Sequence, residues 1–183
     1  GGTITGTSGD GVLLTNAQNV TLQSLNLSNC GGDAIESSGG SNLVLSAVTL
    51  QSPAGYGWRA ANLAGTNRLD HDSLVTDLNG SNTAGREVVN SNIATGTLTL
   101  DHATFQNQPR SNGQAFVHVS LAGTGTTTLN VLDCLFTNLF GSAIVASGPY
   151  ALSSWTDEGL TLSPNPYYWG EKPQGGLSFV WKR

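Results

Sequence analysis

The chain is 183 residues long, enough for one domain with a buried core and too short for several. Only 10% of its residues are charged, the formal net charge is −5, and the seven basic residues are scattered, which argues against nucleic acid as a partner. No apolar stretch approaches the roughly 20 residues that cross a bilayer, so no membrane insertion of this segment is expected.

Gly, Ser, Thr and Asn supply the polarity, a bias that suits solvated turns between short strands and offers no run resembling a helix. The chain holds no Met, so residue 1 is not expected to be a translation start, and the segment is read as cut from a longer product or as having lost a leader. Cys30 and Cys134 fall four repeats apart in the alignment below. At roughly 4.8 Å per strand spacing that is about 19 Å, far beyond the reach of a disulfide, and both are expected as free thiols.

In chain order, residues 1–18 give a partial repeat, Thr3-Ile4-Thr5 and then Val12-Leu13-Leu14 after a Gly-Asp turn. Asn19 opens the clearest unit, NVTLQSLNLSNCGGDAIESSGGS. Val20 and Leu22 alternate with Thr21, Leu25 and Leu27 with Asn26, and Ala34-Ile35-Glu36 makes a third run. Period-two alternation bounded by Gly, Asn, Asp and Ser marks short strands with one buried face. The unit restarts at Asn42, Asn67, Thr97 and near Thr128, as NLVLSAVTL, NRLDHDSLV, TLTLDHATF and TLNVLDCLF. A unit this small buries its apolar face only by stacking on copies of itself.

Three aligned columns are wholly apolar: Leu22, Leu45, Leu69, Leu100 and Val131; Leu27, Leu50, Leu74, Phe105 and Phe136; Val12, Ile35, Trp58, Val88, Phe116 and Ile144. The expected fold is therefore all-β, a parallel β-helix (β-solenoid) of about six to seven rungs of three short strands over residues 1–150. Residues 151–183 break the pattern and are rich in Pro and aromatics. They read as a C-terminal cap, as a carbohydrate platform built on Trp155, Tyr167, Tyr168 and Trp169, or as a junction to a further domain.

The phrases NVTLQSLNLSNCGGDAIE and TTTLNVLDCLFTNLFGSAIVASG resemble the parallel β-helix repeats of the pectin-lyase-like superfamily, above all those of secreted bacterial surface proteins and autotransporter-type adhesins. The resemblance implies a right-handed helix with three sheets and an extracellular or cell-surface location. It does not fix an activity, because lyases, polygalacturonases, epimerases, tailspikes and non-catalytic adhesins share the scaffold.

Stacking turns columns into surface patches. The bend after the first strand gives Gln23, Ser46, Asp70, Asp101 and Leu132, followed by Ser24, Ala47, His71, His102 and Asp133. Asp70, His71, Asp101, His102 and Asp133 thus fall within adjacent rungs, a group able to perform acid/base chemistry or to bind a divalent metal. The plainer reading is that they are solvated turn residues. Asp72 lands in an inward column with Leu25, Val48, Ala103 and Cys134; either it is hydrogen-bonded across the turn or, as favoured here, the bend is shifted. Glu36 and Arg59 share an outward column with Leu13, Val89, Val117 and Val145, so an ion pair beside an exposed valine strip is expected.

Pectate lyases of this fold resemblance carry calcium-binding carboxylates with a basic residue. Here Arg59, Arg68, Arg86 and Arg110 are placed on loops without an acidic triad beside them. No cofactor is therefore expected, and calcium is the one ion the resemblance would bring. The calcium β-roll repeat is missing, the sequons at Asn19, Asn26 and Asn79 follow from composition, and the Thr alternation is too irregular for an ice-binding face.

The leading expectation is a non-catalytic module of a secreted or surface-displayed bacterial protein, serving adhesion, stalk or assembly. Its partners would be a polysaccharide, a cell surface, or its own ends through exposed strand edges. The competing one is a polysaccharide lyase or glycoside hydrolase using the Asp/His group, with a groove bordered by the loops Pro53–Gly57, Asn79–Gly85 and Pro109–Gly113.

Overall fold

A computed structural model describes residues 1–76, 89–107, 117–121, 127–138, 144–147, 150–156, 159–164 and 177–180. Among them are eighteen strands and no helix: β1 (Gly2–Thr5), β2 (Val12–Gln18), β3 (Thr21–Gln23), β4 (Leu25–Ser28), β5 (Ile35–Ser41), β6 (Val44–Ser46), β7 (Thr49–Gln51), β8 (Trp58–Asp70), β9 (Leu74–Thr76), β10 (Val89–Asp101), β11 (Thr104–Gln106), β12 (Val117–Leu121), β13 (Thr127–Leu132), β14 (Leu135–Thr137), β15 (Ile144–Ser147), β16 (Tyr150–Thr156), β17 (Gly159–Pro164) and β18 (Leu177–Val180). They fall into two compact units, Gly1–Ile144 and Val145–Arg183.

The first unit is a parallel β-helix. One face is the all-parallel sheet β1-β4-β7-β9-β11-β14. A second ladder runs β2-β5-β8-β10-β12, and a third runs β3-β6-β8-β10-β13. In β8 and β10 the second and third strand positions fuse into one 13-residue strand, which joins the two ladders in a single sheet. Each residue therefore lies above its counterpart one rung earlier.

The column Leu22, Leu45, Leu69, Leu100 and Val131 pairs as the alternation predicts. Its three central leucines are fully buried. The next apolar column runs Leu27, Leu50, Val75, Phe105 and Phe136, with Val75 where Leu74 was expected. The Phe105 and Phe136 rings stack at 4.8 Å between centroids, which is the strand spacing itself.

The third column is Val12, Ile35, Trp58, Val89 and Val117, so the expected phase is off by one where Val88 and Phe116 were expected. Val88 and Phe116 lie outside the described residues. The register positions that follow Leu13, Glu36 and Arg59 are accordingly Asn90 and His118, and Val117, expected in the exposed valine strip, is fully buried instead. Paired apolar or amphipathic neighbours such as Val88-Val89 permit either phase. The length of the preceding loop decides between them. Trp58, the largest buried side chain, donates its Nε1–H to Ser37 Oγ at 3.2 Å, which removes the cost of burying the indole N–H.

The bends have a common backbone chemistry. Fourteen described non-Gly residues have positive φ, and seven of them are Asn, two Asp and two His, the residue types that best tolerate the left-handed region. Asn side chains also ladder between rungs: Asn42 Nδ2 donates to Asn19 Oδ1 at 3.0 Å and Asn138 Nδ2 to Asn107 Oδ1 at 3.0 Å. Cys30 is buried, Cys134 half-buried, and both are free thiols.

The second unit holds an antiparallel sheet, β16-β17-β18. Trp155 lies in β16, opposite Leu160, while Tyr167, Tyr168 and Trp169 lie outside the described residues.

Candidate functional site

Period-two alternation near the end of β8 sends Leu69 inward and Arg68 and Asp70 to the other face, and β10 repeats this with Leu100 inward and Asp101 outward. The chain then bends through a left-handed residue. That position is Ser24, Ala47, His71, His102 and Asp133 in successive rungs, with φ between 47° and 54°. The same backbone geometry thus presents His71, His102 and Asp133 outward in one file, and the expected Asp/His group is brought together.

Arg68 organises it. Its Nε lies 2.5 Å from Asp70 Oδ2 and its Nη2 2.5 Å from Asp101 Oδ2, so one guanidinium spans two rungs. Each carboxylate turns its other oxygen to the histidine that follows it: Asp70 Oδ1 to His71 Nδ1 at 2.6 Å, and Asp101 Oδ1 to His102 Nδ1 at 2.6 Å. Asp70 is 5% exposed and Asp101 14%, whereas His71, His102 and Asp133 stand well out in solvent. Arg68 Nε and Asp70 Oδ1 are buried without an aligned hydrogen bond, so the Arg68–Asp70 contact acts as a close ion pair. His102 Nε2 lies 3.9 Å from Asp133 Oδ2. The hydrogen bond and charge of Asp101 push the His102 imidazole above its ordinary pKa, with smaller help from Asp133 and Asp72.

The placement of Arg68 on a loop is corrected: it lies within β8, paired with Val44 and Thr99, and it has two acidic partners. The signal was present in the sequence, since residues 68 and 70 of a strand share a face. Arg59 also lies in β8, and its Nη1 is 3.6 Å from Glu36 Oε1, the expected cross-rung ion pair. Arg86 and Arg110, with the loops Asn79–Gly85 and Pro109–Gly113, lie outside the described residues.

Asp72 is exposed and does not enter the inward column. His71 and Asp72 both take positive φ, so the bend is one residue longer here than in the other described rungs. Ser73 fills the inward place, its hydroxyl donating to the Asp70 carbonyl at 2.5 Å and accepting from the Val48 N–H at 3.2 Å. This extra residue also explains why Val75 stands in place of Leu74.

A second carboxylate group escaped the sequence reading. Asp10, Asp33 and Glu36 each place an oxygen within 4.8 Å of the others. Asp10 Oδ1 accepts from the Asp33 N–H and Asp33 Oδ1 from the Tyr56 N–H, both at 2.7 Å, so the aspartates tie each rung to the next. Gly55 is required beside them, because a Cβ there would collide with Asp33 Oδ1. Burial raises the Asp33 pKa, and the Tyr56 N–H opposes the shift while the charge of Asp10 adds to it. Burial and then a hydrogen bond with Asp10 raise that of Glu36. The alignment of GDGV with GDAI carried the signal for the two aspartates.

No family model matches the sequence, and no curated protein matches it. Among solved structures there is similarity to the Streptococcus pneumoniae surface protein and adhesin PfbA, at 15% identity and a TM-score of 0.31, covering 70% of this chain and 49% of that one. The chain thus spans about half the length of that structure. At this TM-score the likeness decides nothing, and the fold rests on the parallel ladders themselves.

Proposed function

We propose that the chain is a non-catalytic β-helix module of a secreted or surface-displayed bacterial protein, serving adhesion, stalk or assembly. The observation that supports this reading is the state of the Asp/His group. Both oxygens of Asp70 and of Asp101 face Arg68 or a histidine, so neither carboxylate offers a free oxygen to a substrate. The residue types at that bend are those a left-handed backbone prefers, which accounts for them without a catalytic role.

A polysaccharide or a cell surface is the partner class this reading implies, with self-association through strand edges as a second mode. The test is binding of the labelled chain to a polysaccharide panel and to whole cells. Saturable binding that survives Asp101→Ala supports the module, and loss of all binding across the panel and the cells overturns its adhesive role.

One observation favours an enzyme instead. Asp101 fixes His102 by Nδ1 and leaves Nε2 exposed, the arrangement of an oriented general base. A lyase or hydrolase built on it would work on an extended sugar chain along the rungs.

A further inference from the structure

We propose that the bend after β10 and β13 binds a divalent ion of the zinc type between His102 Nε2 and the Asp133 carboxylate, with Asp101 holding the imidazole from behind. The inference goes beyond the non-catalytic reading and does not depend on it.

An ionised carboxylate only accepts hydrogen bonds, so the 2.6 Å contact with Asp101 Oδ1 puts the proton of the neutral ring on Nδ1 and the lone pair on Nε2. That lone pair stands 3.9 Å from Asp133 Oδ2. The gap is too long for a hydrogen bond. It suits a bridging ion: with bonds of about 2.1 Å, two ligand atoms on one zinc stand about 3.4 Å apart at the tetrahedral angle and about 4.2 Å apart when opposite. Asp133 is 78% exposed and needs only a small side-chain rotation to close the difference.

Imidazole nitrogen with carboxylate oxygen is a donor set for borderline metals such as zinc rather than for calcium. A carboxylate behind the ligating ring fixes its tautomer and raises its basicity. Asp101 supplies that support and is itself held by Arg68 Nη2, so the ring is positioned before an ion arrives. The remaining coordination positions face solvent.

The preceding rung supplies an internal control. His71 sits at the same bend with its Nδ1 2.6 Å from its own aspartate, but that contact is not an aligned hydrogen bond and the next residue in its file is His102 rather than a carboxylate.

The test is titration of the chain with Zn2+ alone by isothermal calorimetry at pH 7.5, for wild type and for His102→Asn, Asp133→Asn and His71→Asn. Asparagine tolerates the positive φ of these positions, and matched thermal melts establish that each variant is folded. The expected result is one saturable site per chain, weakened at least tenfold in His102→Asn and in Asp133→Asn and unchanged in His71→Asn. Absence of a saturable site, binding that survives both of the first two variants, or equal loss in His71→Asn would overturn the proposal.

Discussion

Arg68 Nη2 and Asp101 Oδ2 meet at 2.5 Å although 33 residues separate them, and this contact ties the third rung of the coil to the fourth. Without the guanidinium, Asp70 and Asp101 would face each other across one strand spacing with Asp70 almost wholly buried. Arg68→Ala is expected to cost about 1–3 kcal/mol, the range for leaving a buried polar group unsatisfied, because the arginine itself is part-exposed. Arg59→Ala removes a pair at 3.6 Å whose Arg is 49% exposed, and should cost under about 1 kcal/mol. Urea unfolding of the two variants measures the contrast, and equal costs would contradict the role given to Arg68.

His102 titrates above an ordinary histidine because Asp101 accepts its hydrogen bond and adds its charge. The folded pKa is thus above the unfolded one, near 6.5. The protonated ring favours folding, so its contribution is complete below the ordinary value and is lost as pH rises through the folded value. In chelator-treated protein, an NMR titration should place the His102 midpoint above the ordinary value, and Asp101→Asn should bring it down. A midpoint unmoved by that substitution would remove Asp101 as the cause.

The Asp10, Asp33 and Glu36 group has the same pH direction from a different cause, because for Asp33 and Glu36 burial disfavours the charged form. Their raised values mean that the protonated carboxyl suits the fold; the associated stability is present below the ordinary carboxylate range and is lost as pH rises through the raised values. Asp10→Asn keeps an acceptor for the Asp33 N–H and removes one charge. It should raise the melting temperature at pH 7 and have little effect at pH 4. An equal gain at both pH values would show that charge is not the cause.

Deletion of Asp72 should restore the one-residue bend of the neighbouring rungs. Its neighbour Ser73 bonds to both Asp70 and Val48, whereas Asp72 projects into solvent. The deletion is expected to change stability by less than about 1 kcal/mol, while deletion of Ser73 should cost several times more. Thermal melts of the two deletions decide this.

These residues also mark how far the sequence could be read. Strand alternation placed Leu22, Leu45, Leu69, Leu100 and Val131 in register because each sits in a strand whose inward and outward residues differ in kind. It failed by one residue where a bend lengthened, at Val75, and where two apolar residues stand side by side, at Val88-Val89. The Asp/His file was legible because it follows a well-registered strand. Arg68 was legible too but was read as a loop residue, although the column of Leu69 puts it in the strand position of Thr21 and Val44. The Asp10–Asp33–Glu36 group was missed because its members come from a turn and a strand that close on each other only when the rungs stack.

The central claim is that the Asp70, His71, Asp101, His102 and Asp133 group serves the coil rather than a reaction. The most direct measurement is release of unsaturated or reducing ends from a panel of acidic and neutral polysaccharides, with calcium and with chelator, by wild type and Asp101→Ala. The account predicts no release by either protein, with both folded. Release by wild type that disappears in Asp101→Ala would contradict it and make the group an active site.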